Sequence, residues 1–194
     1  MTDANPEEPL QAPPAEAPVF DDACDPDTEI TCVTDDGESL TTEYKYVKKS
    51  VTIHKLVEDQ NGGDDPIPLT GIPTKLRLER CLTYFKYLVQ LDVDGKQPPK
   101  INKPLSSIVM SEIADEECAA MVDPLTQDEL FAYVMDMNYL DCKTGLEMSC
   151  AKVTSNIKNK DVKEIRQYFK IENDFTPEEE AQAHAEAEWV EKNM

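Results

Sequence analysis

The side chains of this chain with the types to do covalent or metal chemistry are six cysteines, two histidines and a run of three glutamates. Cys24, Cys32, Cys81, Cys118, Cys142 and Cys150 form no Cys-x-x-Cys pair and do not gather with His54 or His184, so zinc-ligand spacing is absent. Asp92-Val93-Asp94-Gly95 opens like a calcium loop. With Gly95 at the sixth position, however, Ile101 falls where a bidentate glutamate is required, and the reading fails. His54 and His184 are expected as exposed helix residues, with no Ser or Cys and third orienting group beside them in sequence. Glu178, Glu179 and Glu180 follow Thr176-Pro177, a helix start, where carboxylates meet the positive end of the helix dipole. No catalytic residue, metal ligand or cofactor is expected.

The chemistry that remains is recognition. Leu146, Cys150, Val153 and Ile157 recur at helical spacing and make one apolar stripe, which taken alone reads as core. Beyond it, Val162 to Gln182 packs helix starts and apolar anchors into a polar segment, and the single tryptophan, Trp189, follows. The segment has the character of one that holds another protein. Aromatic anchors of this kind are the usual source of interface energy, and an apolar helix face suits an amphipathic partner.

Lys and Arg number 19 against 40 Asp and Glu, a net charge of −21. That balance argues against nucleic acid, whose phosphates need clustered cations, and against anionic membrane surfaces. It favours a solvated surface and basic partners. No apolar run reaches bilayer-spanning length, and the N-terminus lacks a basic, then apolar, leader. Cysteines set among apolar residues read as reduced thiols, which places the chain in the cytosol and nucleus.

The elements that must position these residues fall into three stretches. Residues 1–29 are rich in Pro, Ala, Asp and Glu, cannot bury enough apolar area to order themselves, and are expected as a disordered acidic tail. A spacer is its reading, with a regulatory role as the alternative. From Ile30 two β-prone runs flank Asp36-Gly37, a hairpin signal. Ser50 to Glu58 suits a short helix, Asn61 to Asp65 an acidic loop, and Pro66 to Leu69 a short edge strand that tolerates proline. Leu76 to Leu91 carries Leu78, Cys81, Leu82, Phe85, Leu88 and Val89 on one helical stripe. Asp92 to Pro104, with Gly95 and three prolines, reads as a loop. Helix starts then recur at Thr126 to Glu129, Asp161 to Glu164 and Thr176 to Glu179. The chain therefore runs α+β first and then all helical.

This order of elements, with these residues, resembles the Skp family of adaptor subunits of Skp–cullin–F-box ubiquitin ligases. The matching motifs are Asp36-Gly37-Glu38, Ser50-Val-Thr-Ile53, Asp64-Asp-Pro-Ile-Pro-Leu69, Asn138-Tyr-Leu-Asp141, Lys163-Glu-Ile-Arg166, and Ile171-Glu-Asn-Asp-Phe-Thr176 with Glu178-Glu-Glu-Ala-Gln182. The resemblance covers most of residues 30–194. It implies a BTB/POZ-like domain over 30–140 and a C-terminal helical F-box-binding region over 141–194. It departs at Lys143-Thr144-Gly145-Leu146, through the lysine-bearing stretch from Leu91 to Pro124, and in the added acidic tail, so the chain looks like a diverged paralogue.

The resemblance turns the stripe Leu146, Cys150, Val153 and Ile157 from core into a partner face, and adds Ile165, Phe169, Phe175 and Trp189 to the same F-box-binding surface. It assigns Phe131, Val134, Met135, Asn138 and Tyr139 to contact with a cullin. The implied function is a non-catalytic adaptor that bridges a cullin scaffold and F-box proteins across two separate surfaces, without nucleic acid or membrane as partner. The alternatives are a self-associating BTB/POZ structural module outside the ligase, and a small hydrolase, for which no nucleophile and base are supplied.

Overall fold

A computed structural model describes residues 24–60, 65–176, 178–179, 181–183, 185–186 and 189. The stretch expected as a tail ends earlier than residue 29. Cys24 packs against the core, and the Tyr44 and Lys45 amides donate to the carbonyls of Thr28 and Pro26 at 2.8 and 2.9 Å. Residues 1–23, the acidic loop residues 61–64 and His184 lie outside the described residues.

Strands β1 (Glu29–Thr34) and β2 (Ser39–Glu43) pair antiparallel, and β3 (Ile67–Leu69) adds parallel to β1, in the order β2-β1-β3. Alternation sends Ile30, Cys32 and Thr34 inward. The expected turn is present: Gly37 takes φ +78°, and the Thr34 hydroxyl donates to Asp36 Oδ1 at 2.6 Å. That bond, with the amides of Glu38 and Lys75, holds the Asp36 carboxyl below its usual range. Pro68 sits exposed on the edge strand, where its missing N–H breaks no ladder.

Helix α1 (Tyr44–Val47) leads into α2 (Val51–Asp59), whose N-cap Ser50 accepts from the Ile53 amide. His54 is fully buried, not exposed as the sequence suggested, and its Nδ1 lies 2.6 Å from the buried Tyr44 hydroxyl. A histidine in an amphipathic helix is placed by what lies opposite it, and here a phenol waits on α1. Helix α3 (Lys75–Val93) is the central rod, burying Leu78, Cys81, Leu82, Phe85 and Leu88 as its stripe predicts, together with Tyr84 and Tyr87. The loop starts two residues later than expected, at Asp94, and gives way to two helices that the periodicity did not reveal, α4 (Met110–Ile113) and α5 (Glu116–Val122). Asp115 joins them to α3: it caps α5 by accepting from the Cys118 amide at 2.7 Å and accepts from the Tyr87 hydroxyl.

Helix α6 (Gln127–Tyr139) opens with the predicted capping box between Thr126 and Glu129. Those two bonds and Arg80, 2.9 Å away, bring the Glu129 carboxyl down from 4.5 to about 2, so the cap gives way only as pH falls through that value. Helix α7 (Lys143–Ile157) follows a tight turn in which Asp141 has φ 49°. It folds back along α6, and Cys142, Met148 and Ala151 enter the same core as the sheet and α3. The expected division at residue 140 is thus a turn in the chain rather than a gap between cores. Gly145 permits the close approach: a Cβ there would lie 2.6 Å from Met137 Sδ. Helix α8 (Val162–Phe169) starts from a capping box of Asp161 and Glu164 and buries no residue.

Between α3 and α6 lies the one buried carboxylate among the described residues. Arg77 Nε donates to Asp136 Oδ2 at 2.9 Å, its Nη2 donates to Oδ1, and the Asp136 side chain is only 2 % exposed. Burial lifts the Asp136 carboxyl above its ordinary range, and the guanidinium fork opposes that rise. Removing the fork strands a buried charge. Arg77→Met is expected to cost about 3 kcal/mol in urea denaturation, and the further change Asp136→Leu to return most of it. A double variant no more stable than Arg77→Met would show that the pair does not act as a unit.

Candidate functional site

The residues expected at the cullin contact all lie on α6 or its end. Met135 is 64 % exposed, Asn138 is exposed, and Val134 and Tyr139 are half-buried. The Tyr139 ring lies over Gly71, where a Cβ would sit 2.3 Å from the ring carbons. The sequence motif Ser50-Val51-Thr52-Ile53 explains how this end of α6 is held. The Thr52 hydroxyl donates to the Tyr139 carbonyl at 2.7 Å, and the Ser50 hydroxyl donates to the Leu140 carbonyl at 2.7 Å. Two of the last orphan carbonyls of α6 are satisfied from α2 and its cap.

Phe131 is placed differently from the other four. Its ring stacks on Phe169 of α8, with centroids 5.8 Å apart and planes 8° apart, and meets the edge of Tyr168 at 5.7 Å. The two surfaces read as separate from sequence are therefore joined, because Phe131 and Phe169 were assigned to different ones. The reason is that α8 lies against the start of α6. Gln127 Nε2 donates to the Tyr168 carbonyl, and Lys170 pairs with Asp128 at 2.7 Å. Tyr168 is the residue that sequence reasoning missed. Its place three residues after Ile165, on the same helix face, was the available signal.

On α7 the apolar stripe points outward. Cys150 is exposed, and Leu146, Val153 and Ile157 are half-buried. The core is filled instead by the opposite face, Gly145, Met148, Ser149, Ala151 and Ser155. Apart from Met148, small residues pack inward and larger apolar ones lie on the outer side, the reverse of a helix whose only task is to close a core. Across the upper part of the stripe runs the 94–109 loop. Lys158 donates to the Leu105 carbonyl at 2.7 Å and Lys103 pairs with Glu147 at 2.9 Å. A groove of about 420 Å³ lies between them, floored by Leu146, Cys150 and Ala151 and walled by Ile101, Pro104 and Leu105.

The remaining anchors lie on α8 and after it. Ile165 is half-buried, while Ile171, Phe175 and Trp189 are 56, 49 and 67 % exposed. The Arg166 guanidinium lies 5.4 Å over the Phe175 ring. Thr176 accepts from the Glu179 amide, and Glu179 accepts from Thr176, so Glu179 serves the helix start rather than acid–base chemistry. The thiols are no better disposed toward catalysis. Burial pushes Cys32 and Cys118 up to about 12, and partial burial raises Cys150 even though Lys103 opposes it. Among the described residues no group of His, Cys, Asp and Glu could hold a metal, and no helix is long and apolar enough to cross a membrane.

Comparison with known proteins fits this arrangement. Residues 28–90 match the Skp1 family tetramerisation domain, and residues 146–190 match the Skp1 family dimerisation domain. An S-phase kinase-associated protein 1 homolog of Tetrahymena thermophila is 37 % identical over 165 residues, 85 % of this chain and 95 % of the relative. The chain belongs to the Skp1 family. Two further relatives are the SCF ubiquitin ligase complex protein SKP1a of Dictyostelium discoideum, 35 % identical over 80 % of this chain and 91 % of its own, and the E3 ubiquitin ligase complex SCF subunit sconC of Arthroderma benhamiae, 31 % identical over 84 and 96 %. The sheet with its helices, followed by α7 and α8, is the α+β fold with the POZ domain that the resemblance implied. The two matched domains leave residues 91–145 between them, and there the Skp1-family chain places its 94–109 loop and α6.

The aromatic contact between α6 and α8 should be energetically real. In a double-mutant cycle on urea unfolding, Phe131→Ala and Phe169→Ala are expected to couple by about 1 kcal/mol. Strict additivity would mean that the stack carries no energy.

Proposed function

We propose that this chain is the non-catalytic adaptor of an SCF-type ubiquitin ligase, holding an F-box protein on α7, α8 and the following helix, and a cullin on α6. The observation that carries the reading is the inverted packing of α7, which fills the core with Gly145, Ala151 and Ser155 and leaves Val153 and Ile157 at the surface. An F-box segment would cover Leu146, Cys150, Val153, Ile157, Ile165, Phe175 and Trp189 as an amphipathic helix covers an apolar groove. The cullin would meet Met135, Asn138, Val134 and the exposed part of Tyr139. Phe131 and Phe169 belong to the junction between the two faces. The adaptor itself contributes proximity and orientation, and the transfer chemistry belongs to other subunits. The names of the relatives, as SCF ligase subunits, support this reading over a self-associating structural module. Six free thiols support a reducing compartment, cytosol and nucleus.

Two measurements separate the faces. Asn138→Ala with Met135→Asp, both at exposed positions, should weaken cullin capture by tenfold or more and leave melting temperature and F-box capture unchanged. Joint loss of both partners would place these residues in the structure rather than in the cullin face.

Val153→Asp with Ile157→Asp should abolish F-box capture while the protein stays folded. Trp189, the only tryptophan, gives the direct probe. Its emission should shift to the blue when an F-box domain is added, and Trp189→Ala should weaken binding by about 2 kcal/mol. An unmoved spectrum with unaltered affinity would remove the final helix from the partner surface.

A further inference from the structure

The chain has a net charge of −21, yet its surface is not uniformly acidic. From Lys152 to Lys170 there are six cations against two carboxylates, Asp161 and Glu164. On α8 the cations take one side. Lys163, Arg166, Gln167 and Lys170 follow the spacing three, one and three, a single stripe on the side of the helix opposite Ile165 and Tyr168, and Arg166 of that stripe reaches over Phe175, one of the proposed F-box anchors. At Lys170 the backbone turns left-handed, with φ 55°, and the chain doubles back. The turn brings Ile171 and Asn173 against the stripe and closes a concave site of about 390 Å³ lined by Lys163, Arg166, Gln167, Lys170, Ile171 and Asn173. Its walls are basic and amide-bearing, and Ile171, 56 % exposed, supplies an apolar contact. Among the described residues no carboxylate pairs with Lys163. Such a concavity suits a short acidic peptide with an apolar side chain.

The same chain contains one. Residues 1–23 carry six carboxylates, Asp3, Glu7, Glu8, Glu16, Asp21 and Asp22, and no Lys or Arg. Glu7-Glu8-Pro9-Leu10 sets two adjacent carboxylates beside an apolar residue, the complement of Lys163 and Ile171. Leu10 lies 14 residues ahead of Cys24, the first residue packed on the core. That length of extended chain reaches about 46–50 Å, and a domain of this size has a radius of gyration of about 16 Å. Tethering makes the contact intramolecular, at an effective concentration in the millimolar range, so a weak charge-driven affinity suffices.

We propose that the acidic segment around Glu7–Leu10 docks in the basic concavity of α8 and competes with F-box proteins for that helix. The inference rests on the F-box reading of α8 and adds its regulation. The segment then acts as a tethered competitor. An F-box protein gains its full affinity only when its own contacts displace the segment, and rising salt releases the segment first, because the contact is made of exposed charges.

The test uses the full chain in a charge swap, with Glu7→Lys/Glu8→Lys in the segment, Lys163→Glu/Gln167→Glu on α8, and all four changes together. The amide signals of Lys163, Gln167, Ile171 and Asn173 are followed by NMR at low and high salt. In parallel, the affinity of an F-box domain is measured for each variant. The segment variant should move those signals at low salt to their high-salt positions and tighten F-box binding about fivefold or more, the factor expected when four-fifths of the sites are covered. The combined variant should restore both properties toward those of the natural chain. Signals and affinity untouched by the segment variant would overturn the proposal. If the α8 variant weakens F-box binding while the segment variant changes nothing, the concavity belongs to an acidic part of the F-box protein instead. Failure of every variant to bind the F-box domain would defeat the F-box reading, and the proposed competition with it, while the amide signals would still decide whether the segment docks.

Discussion

Two hydroxyls, those of Ser50 and Thr52, fix the far end of α6 to the sheet-bearing half of the molecule. Ser50 is fully buried and does two things at once, capping α2 through the Ile53 amide and donating to the Leu140 carbonyl. Without these donors the Tyr139 carbonyl would lose its side-chain partner and the Leu140 carbonyl would keep only the Thr52 amide, at 3.4 Å. A carbonyl left without a partner there costs its desolvation rather than a fraction of a hydrogen bond. The turn at Asp141 starts from that fixed point, so the direction in which α7 leaves, and with it the placing of α8, follows from contacts made about 90 residues earlier in sequence.

Helix α6 is consequently the beam of the molecule. Its buried face meets α3 through Tyr133, Met137 and the Arg77–Asp136 fork, its start receives α8 on Phe131, and its end presents Asn138 and Tyr139. A beam shared in this way joins its two proposed partner faces at one place, its start, where Phe131 meets α8. Any motion of α8 is felt by the ring of Phe131, three residues from Val134 on the same helix. The rigidity of the core is what makes that sharing orderly, since packed interiors transmit displacement rather than absorb it.

Much of the architecture was legible from local signals. The Asp36-Gly37 hairpin, the long α3 stripe and the capping boxes of α6 and α8 are each decided within a few residues, where turn chemistry and periodicity act. Long-range placement was not legible. His54 looked like a surface residue because nothing near it in sequence betrays the Tyr44 hydroxyl across the α1–α2 corner. Helices α4 and α5 are too short to show a period, although Asp115 before two glutamates was a cap in plain view. The stripe on α7 gave its own period but not its direction. Only the small residues interleaved with it, read as a second face, could have shown that the core lies on the other side. The meeting of Phe131 with Phe169 depends on how α8 returns to α6, which no local pattern encodes.

The inverted packing of α7 separates two kinds of selection that usually fall on the same side chains. Positions 145, 148, 151 and 155 are buried, and at Gly145 even one added methyl meets Met137 and Tyr84. Positions 150, 153 and 157 face outward, where substitutions away from packed features typically change stability by no more than about 0.5 kcal/mol. A gene duplicate of such a chain can therefore drift through many outer faces while keeping one fold. The helix is divided lengthwise into a packed side and an experimental side, and new partners can be sampled on the second without a passage through unfolded intermediates.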